Sequence, residues 1–571
     1  MILKLKNFLN DFLAKPEQSE TKGQIIKDQS YTNKEFISYL SILFTLCLVA
    51  FFFAASRFAL LGPDEPRYAE VAREMFVSGE YISTRLCGCL WFEKPALVYW
   101  MIAASYHLFG VSEFAARFPA GLSATLATLT IFCTLTRTVS LKWAMGAGLM
   151  LLTSGIFIGY AHAATPDMVL TATMSVAILT TYVATSNFVR SRFWLMTLSF
   201  AAIGLAFMAK GLVGIVLTFG ILFLFLWLTG RWRLLRINYL MIGLLVFFAV
   251  SATWYLPVTL KHGWHFIDEF FIQHHFQRYI KDVFGHPQPI YFFAVIAFVG
   301  VLPWSGFFIP AIVRLKNLRP RIDEENSLLT LAWIWALIPL LFFSLSESKL
   351  PGYILPVFPA LAIILGKSFA DYWTKPATGL LKITAWLTAI LLVSLSVGFV
   401  GYLRTIPISS SPITLIIAAI PIGLALIGVV GLALGKKAYL LFTSIAVILG
   451  LIISAGIILP PYLNESVSLK RLSLDAAESL NADEKIAYYI LKDFAAVFYA
   501  EGRVVCKNGE ILNALKEDAL IEELKSHHRL IIITRERWLT GLKNRPEIQM
   551  EPISQQGEYY ALRVQLQKEK P

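Results

Sequence analysis

Acids and bases gather at the ends of apolar runs in this sequence. Residues 62–70 read GPDEPRYAE and place Asp64, Glu65, Arg67 and Glu70 directly after an apolar run from Phe36 to Leu61. FEKP at 92–95 adds Glu93 and Lys94, HAATPDMVL puts Asp167 behind Pro166, and MAKGLVG leaves Lys210 between two apolar runs. FFIQHHFQRYIKD carries His274, His275, Arg278 and Lys281, and SESKLPGYILP holds Lys349 and Tyr353 at the start of another run. Taken singly, each has a plain structural explanation. An Asp at a helix start caps it, a Lys at a membrane edge snorkels, and a pair of His residues is more often a surface feature than a ligand set. Together they say more. Lys94, Lys210, Arg278 and Lys349 converging at a membrane surface would suit a lipid phosphate, through charge-assisted hydrogen bonds. Carboxylates beside them suit proton abstraction or the stabilisation of positive charge on a sugar ring. A cationic clamp with carboxylates is what glycosyl transfer from a lipid phosphate needs.

Membrane helices must position these residues. The chain has 571 residues, 57% of them hydrophobic and 15% charged, with mean hydropathy +0.63. A soluble protein of this length cannot hide that much apolar surface. Apolar runs near 36–60, 114–135, 143–161, 168–187, 193–209, 211–229, 237–258, 290–313, 328–345, 352–370, 380–402, 412–434 and 438–459 predict an all-α polytopic bundle of about 13 transmembrane helices. The segment 94–110 offers about 15 helical residues from Pro95, or ~22 Å, against a ~30 Å hydrocarbon core. It is predicted to lie along the membrane surface. Charge supports that choice. If 94–110 does not span, Arg137/Lys142, Arg190/Arg192, RWRLLR (231–236), RLKNLRPR (314–321), Lys375 and Lys436/Lys437 all fall on the N-terminal side, a consistent positive-inside pattern. The N-terminus is then cytoplasmic, the odd count puts the C-terminus outside, and the candidate site residues share the outer face.

The net charge of +12 fits basic cytoplasmic loops, and no nucleic-acid-reading motif accompanies it. The first apolar run is too long for the core of a cleavable leader and reads as an uncleaved span, preceded by a cytoplasmic segment 1–35. Within that segment, Ile2, Leu5, Phe8, Leu9 and Phe12 share a face and predict a short interfacial helix. The transmembrane part is placed at 36–463, with an outer loop at 62–113. Residues 464–571 turn polar, with strand-like KIAYYI, RVVC, RLIIIT and YYALRVQL and a helical EDALIEELKSHH, and predict a small outer α/β domain. Cys87 and Cys89 form a C-x-C that is too tight for a mutual disulfide and too small for a metal site, and Cys506 lies far downstream.

The chain resembles the bacterial lipid A aminoarabinose transferases, within the protein mannosyltransferase-like GT-C membrane glycosyltransferases. The stretches that carry the resemblance are GPDEPRYAEVAREM (62–75), FEKPALVYW (92–100), LFGVSEFAARFPAGL (108–122), TPDM (165–168), MAKGLVG (208–214), HHFQRY (274–279) and SKLPGYILPVFPALA (348–362), in family order. The resemblance implies a GT-C bundle ending in a periplasmic domain in the bacterial inner membrane. It implies an undecaprenyl-phosphate sugar donor, most simply 4-amino-4-deoxy-L-arabinose, and a lipid A or other outer-leaflet acceptor. It also implies that Asp64 is the essential first-loop acid and Asp167 a second-loop acid. Lys94 would contact the donor phosphate, with Lys210, Arg278, Lys349 and Tyr353 around it and Arg67 beside Asp64 on the same phosphate. No cofactor is required by this scheme, although Glu93 and His275 could meet at a divalent metal. Two other readings stay open: transfer of a sugar to a protein or surface glycan, and a lipid-linked sugar transporter or flippase. A transporter should carry its ionisable groups mid-bilayer, whereas here they gather at one surface.

Overall fold

The computed structural model describes residues 31–186, 192–277, 288–320, 323–376, 379–407, 411–491, 493–507, 510–511, 515 and 517–567. The helix expected near 1–15 lies outside them, as does Arg278. Among the described residues, eleven helices are long and apolar enough to cross a bilayer, and two bent pairs bring the number to 13. The expected helical bundle is therefore borne out. The first span, Asn33–Phe52, starts at a capping box in which Thr32 and Glu35 satisfy each other's backbone amides.

The first bent pair, Leu141–Leu152 with Gly155–Ala161, turns by 64°. At the break, the Thr153 and Ser154 hydroxyls donate to the carbonyls of Leu149 and Met150, each at 2.6 Å, which pulls the helix off its axis. The second pair, Phe292–Gly300 with Trp304–Leu315, turns by 109°. Pro303 has no N–H to continue the first helix, and the chain restarts through a 3-10 turn at Trp304–Phe307.

Contacts between distant elements fix which ends share a side. Leu60 N donates to Tyr499 Oη at 2.9 Å, and Glu113, at the start of Glu113–Thr138, pairs with Lys470, so the first loop and the C-terminal region meet on one face. The first bent pair leaves the far end of Glu113–Thr138 and finishes at Tyr160, in the same cavity as Asp64, so it crosses. The second follows a segment tied to the first loop (Phe92 N to Glu269 Oε1, 3.1 Å) and ends at Arg314. That residue pairs with Asp371 at the far end of Pro351–Thr374. It reaches the far side too, and among the described residues up to 13 segments are able to cross.

Two apolar runs depart from expectation. The run expected to be helical to 60 is helical only to Phe52, and residues 53–61 peel away in turns. Arg117 makes this possible: its guanidinium donates to the carbonyls of Ala55 (3.0 Å), Phe58 (2.6 Å) and Ala59 (2.7 Å), which a helix would otherwise have satisfied. The last span runs past Pro460–Pro461 to Ser466. Pro460 cannot donate to Gly456, and Arg57 Nη1 reaches that carbonyl instead, at 3.4 Å.

The segment 94–110 forms a helix, Leu97–Phe109, 13 residues long. It packs Tyr99, Ile102 and Tyr106 against the first-loop helix Asp64–Ser78, where Tyr106 Oη donates to Ala69 O at 3.1 Å. The C-terminal region carries a four-stranded sheet. Lys485–Tyr488 runs parallel to Arg529–Arg535, which pairs antiparallel with Tyr559–Leu566, and that strand pairs antiparallel with Ile548–Gln556. The last of these was not expected: IQMEPISQQ is polar, exposed in part and interrupted by Pro552, as suits an edge strand.

Candidate active site

Gly62 takes a left-handed φ of +67°, which lets the peeled segment turn sharply into the helix Asp64–Ser78. Asp64 and Glu65 occupy the first turn, where a helix N-terminus favours negative charge. Their carboxylates then diverge. Glu65 is buried and accepts from Arg117 Nε (2.9 Å) and Nη2 (2.7 Å), from Leu61 N (2.9 Å) and from Ala164 N (2.9 Å). Those partners hold the first loop, the second span and the start of the second loop together. Asp64 keeps a side chain 44% exposed and pairs with Arg67.

Arg67 extends that pair into a chain. Its Nη1 lies 3.7 Å from Glu93 Oε2, and Glu93 Oε1 accepts from Lys94 Nζ at 2.8 Å. Its guanidinium also stacks over Phe494, 5.0 Å from the ring centre, so the C-terminal region helps to hold it. Burial opposes the Arg67 charge, but Glu93, Tyr68 and Asp64 outweigh it and raise the pKa. Burial, reinforced by Glu93 and Asp64, holds the neighbouring Tyr68 phenol well above its ordinary value, so Tyr68 stays neutral.

A second pair stands across the bundle. Pro166 starts Pro166–Ala184 and sets Asp167 in its first turn, while Lys210 is the last residue of Arg192–Lys210. Lys210 Nζ pairs with Asp167 and sits 4.8 Å from the centre of the Tyr353 ring. Gly352 brings its backbone against Tyr160, where an added Cβ would lie 2.6 Å from the hydroxyl.

Asp64, Glu93, Lys94, Asp167, Lys210 and Tyr353 all line one cavity of about 890 Å³. The structure thus brings six of the sequence-predicted residues together, with Arg67 paired to two of them. Lys349 is not among the lining residues: it is buried and donates to Ser346 O at 2.6 Å. His275 lies in the π-helical segment Asp268–Gln277, but its side chain and all of Arg278 fall outside the described residues. Among the described residues, no three His, Cys, Asp or Glu side chains gather as a metal site. Sequence reasoning missed Tyr68, Tyr160 and His162, which share the wall. His162 Nδ1 faces Ile158 O at 2.9 Å, and its Nε2 has no protein partner among the described residues. An ionisable residue at the end of an apolar run, as in GYAHAATPD, is the one signal that could have flagged it.

The arrangement has counterparts. Over 92% of this chain and 98% of the other, the fold matches the crystal structure of ArnT from Cupriavidus metallidurans bound to undecaprenyl phosphate, with TM-score 0.75 and 24% identity. That places the protein among the membrane-embedded helical bundles of GT-C type. A family model for dolichyl-phosphate-mannose-protein mannosyltransferases matches residues 93–256. The undecaprenyl phosphate-alpha-4-amino-4-deoxy-L-arabinose arabinosyl transferase of Edwardsiella ictaluri is 30% identical over 453 residues, 77% of this chain and 79% of that one. The enzyme of the same name from Aeromonas hydrophila is 30% identical over 336 residues, a match that spans 58% of this chain and 60% of that one. The chain belongs to the undecaprenyl phosphate-aminoarabinose arabinosyl transferase family.

Proposed function

We propose that the protein moves 4-amino-4-deoxy-L-arabinose from undecaprenyl phosphate to a phosphate of lipid A. The reaction takes place at the outer face of the bacterial inner membrane, with the N-terminus cytoplasmic and the C-terminal region periplasmic. The cavity carries this reading. Lys94 and Lys210 share it with the carboxylates of Asp64 and Asp167 and with apolar surface from Leu212, Val213, Val216, Phe342 and Phe343. A lipid phosphate finds cations there, and its prenyl chain finds an apolar wall. The names of the relatives agree, and the basic loops support the orientation.

In the transfer, the bond between the anomeric carbon and the donor phosphate oxygen breaks. An oxygen of the acceptor phosphate bonds to that carbon, and undecaprenyl phosphate leaves with the electron pair. Lys94 and Lys210 stabilise the leaving phosphate, which competes with Asp167 for Lys210. Arg278 joins the same clamp in this reading, whereas Lys349 is held on Ser346 O. An acceptor phosphate is already ionised, so Asp64 orients it or steadies an oxocarbenium-like transition state. A hydroxyl acceptor would instead use Asp64 as general base.

The match to the protein mannosyltransferase model favours a second reading, in which the acceptor is a protein. Mass spectrometry of lipid A from cells with and without the gene separates the two. A phosphate-linked pentosamine that vanishes on deletion supports the first, and unchanged lipid A with a lost glycoprotein mass supports the second.

A further inference from the structure

The first loop contains a small hairpin whose strands pair Arg85 with Leu90 and Leu86 with Cys89. Its turn is Cys87-Gly88, with φ of +53° and +77°. Two successive positive φ values make a type I′ turn, whose first position normally takes Asn, Asp or Gly. A cysteine there holds an unfavourable backbone conformation, and such an outlier points to a purpose for the side chain. The turn is tied down: Gly88 N donates to Glu74 Oε2 at 3.0 Å. The Cys87 thiol faces Cys506, at the start of the strand Cys506–Lys507 in the C-terminal region, and Gly502, four residues earlier, stands against Glu70 on the same helix as Glu74, where an added Cβ would lie 2.8 Å from the carboxylate. Both cysteines also pack against one apolar core, built from Tyr68 and Met75 on one side and Leu472 and Val504 on the other.

We propose that Cys87 and Cys506 form a disulfide that fastens the first loop to the C-terminal region. This rests on the outer-face topology proposed above, because disulfides persist outside the plasma membrane and not in the cytosol. The oxidant is a protein disulfide of the thiol-oxidising class found in that compartment. One cysteine thiolate attacks it and opens its S–S bond to give a mixed disulfide. The second thiolate then displaces the oxidant, which leaves as a dithiol carrying the two electrons and the two protons that the cysteine thiols gave up. The new S–S bond is about 2.05 Å long, and the two side chains, packed against one core, close to that distance when it forms. The partner thiol first, and burial second, hold the Cys87 thiol above its ordinary pKa. The linked residues stand far apart in the chain, the arrangement in which a cross-link restricts the unfolded state most.

The test uses the full chain, purified in detergent from cells with an oxidising periplasm. It is acid-quenched, alkylated with N-ethylmaleimide under denaturing conditions and digested without reductant. A peptide holding Cys87 joined to one holding Cys506 is expected. It should be absent after reduction and in Cys506→Ser, where Cys87 becomes alkylated. Reductant should lower the melting temperature of the wild type and leave that of Cys506→Ser unmoved. Complete alkylation of both cysteines in the wild type, or a link from either of them to Cys89, overturns the proposal. In parallel, Asn544→Cys in a background lacking Cys87 and Cys506 is treated with a membrane-impermeant maleimide on intact cells. Labelling with free thiols in the wild type sinks the disulfide alone. No labelling sinks the topology and the disulfide with it.

Discussion

Glu65 and Arg117 form a buried two-armed ion pair that joins the first loop to the second span, with Oε1–Nε at 2.9 Å and Oε2–Nη2 at 2.7 Å. Removing one partner of such a pair strands the other charge and costs about 3–5 kcal/mol. Glu65→Gln and Arg117→Leu are each expected to lower the melting temperature of the purified protein sharply. Unchanged melting in both variants would show that the pair does not hold the loop.

Asp64 should behave in the opposite way. Its side chain is 44% exposed and its ion-pair partner among the described residues is Arg67, so Asp64→Asn should fold and melt like the wild type. Turnover of an undecaprenyl-phosphate sugar should fall to near background while donor binding is kept. Normal turnover by a well-folded Asp64→Asn protein would remove Asp64 from the chemistry.

Lys210 and Asp167 are paired beside Tyr353, so their roles are linked. A hydrogen bond to a charged group contributes roughly 1.5–3 kcal/mol, and Lys210→Ala should weaken donor use by ~10- to 100-fold. If Asp167 works by placing Lys210, the double variant should lose little more than Lys210→Ala alone. Additive losses would assign Asp167 a separate step.

Glu70 gives the fold a pH dependence. Burial pushes its carboxyl up from 4.5 to about 8, against the pull of Arg73. A carboxyl whose folded pKa is raised stabilises the fold fully below its unfolded pKa and ceases to do so as pH rises through the folded value. Stability should therefore fall between about pH 4.5 and 8 and level off above. The slope should be shallower in Glu70→Gln, as thermal melts across that range would read. Parallel profiles would mean that Glu70 is ionised throughout.

The membrane fold was legible because hydropathy and basic loops report on the bilayer, which acts on every residue of a span alike. What escaped depended on partners distant in the chain. Nothing within residues 53–61 says that the helix stops at Phe52, because the donors that replace it sit on Arg117. Likewise Pro460–Pro461 looks like a helix end until Arg57 is seen at the Gly456 carbonyl. The polar strand Ile548–Gln556 has no hydrophobic alternation to read, since it lies at a sheet edge. In the site, charged residues at span ends identified Asp64, Glu93, Lys94, Asp167 and Lys210. Which cation meets which acid was not readable, because pairing depends on helix rotation and loop path. Lys349 carried the same signal and turned to Ser346 O instead.

The shared core of the first loop and the C-terminal region bears on how this protein can be recombined. Tyr68, Ala72 and Met75 pack in one cluster with Leu472, Phe498 and Val504, and the Arg67 guanidinium rests on Phe494. The two segments are far apart in the chain but form one inheritable unit. A chimera that swaps the tail of this protein for that of a relative must exchange residues 59–106 along with it, or the graft will meet a mismatched surface where Arg67, the partner of Asp64, rests.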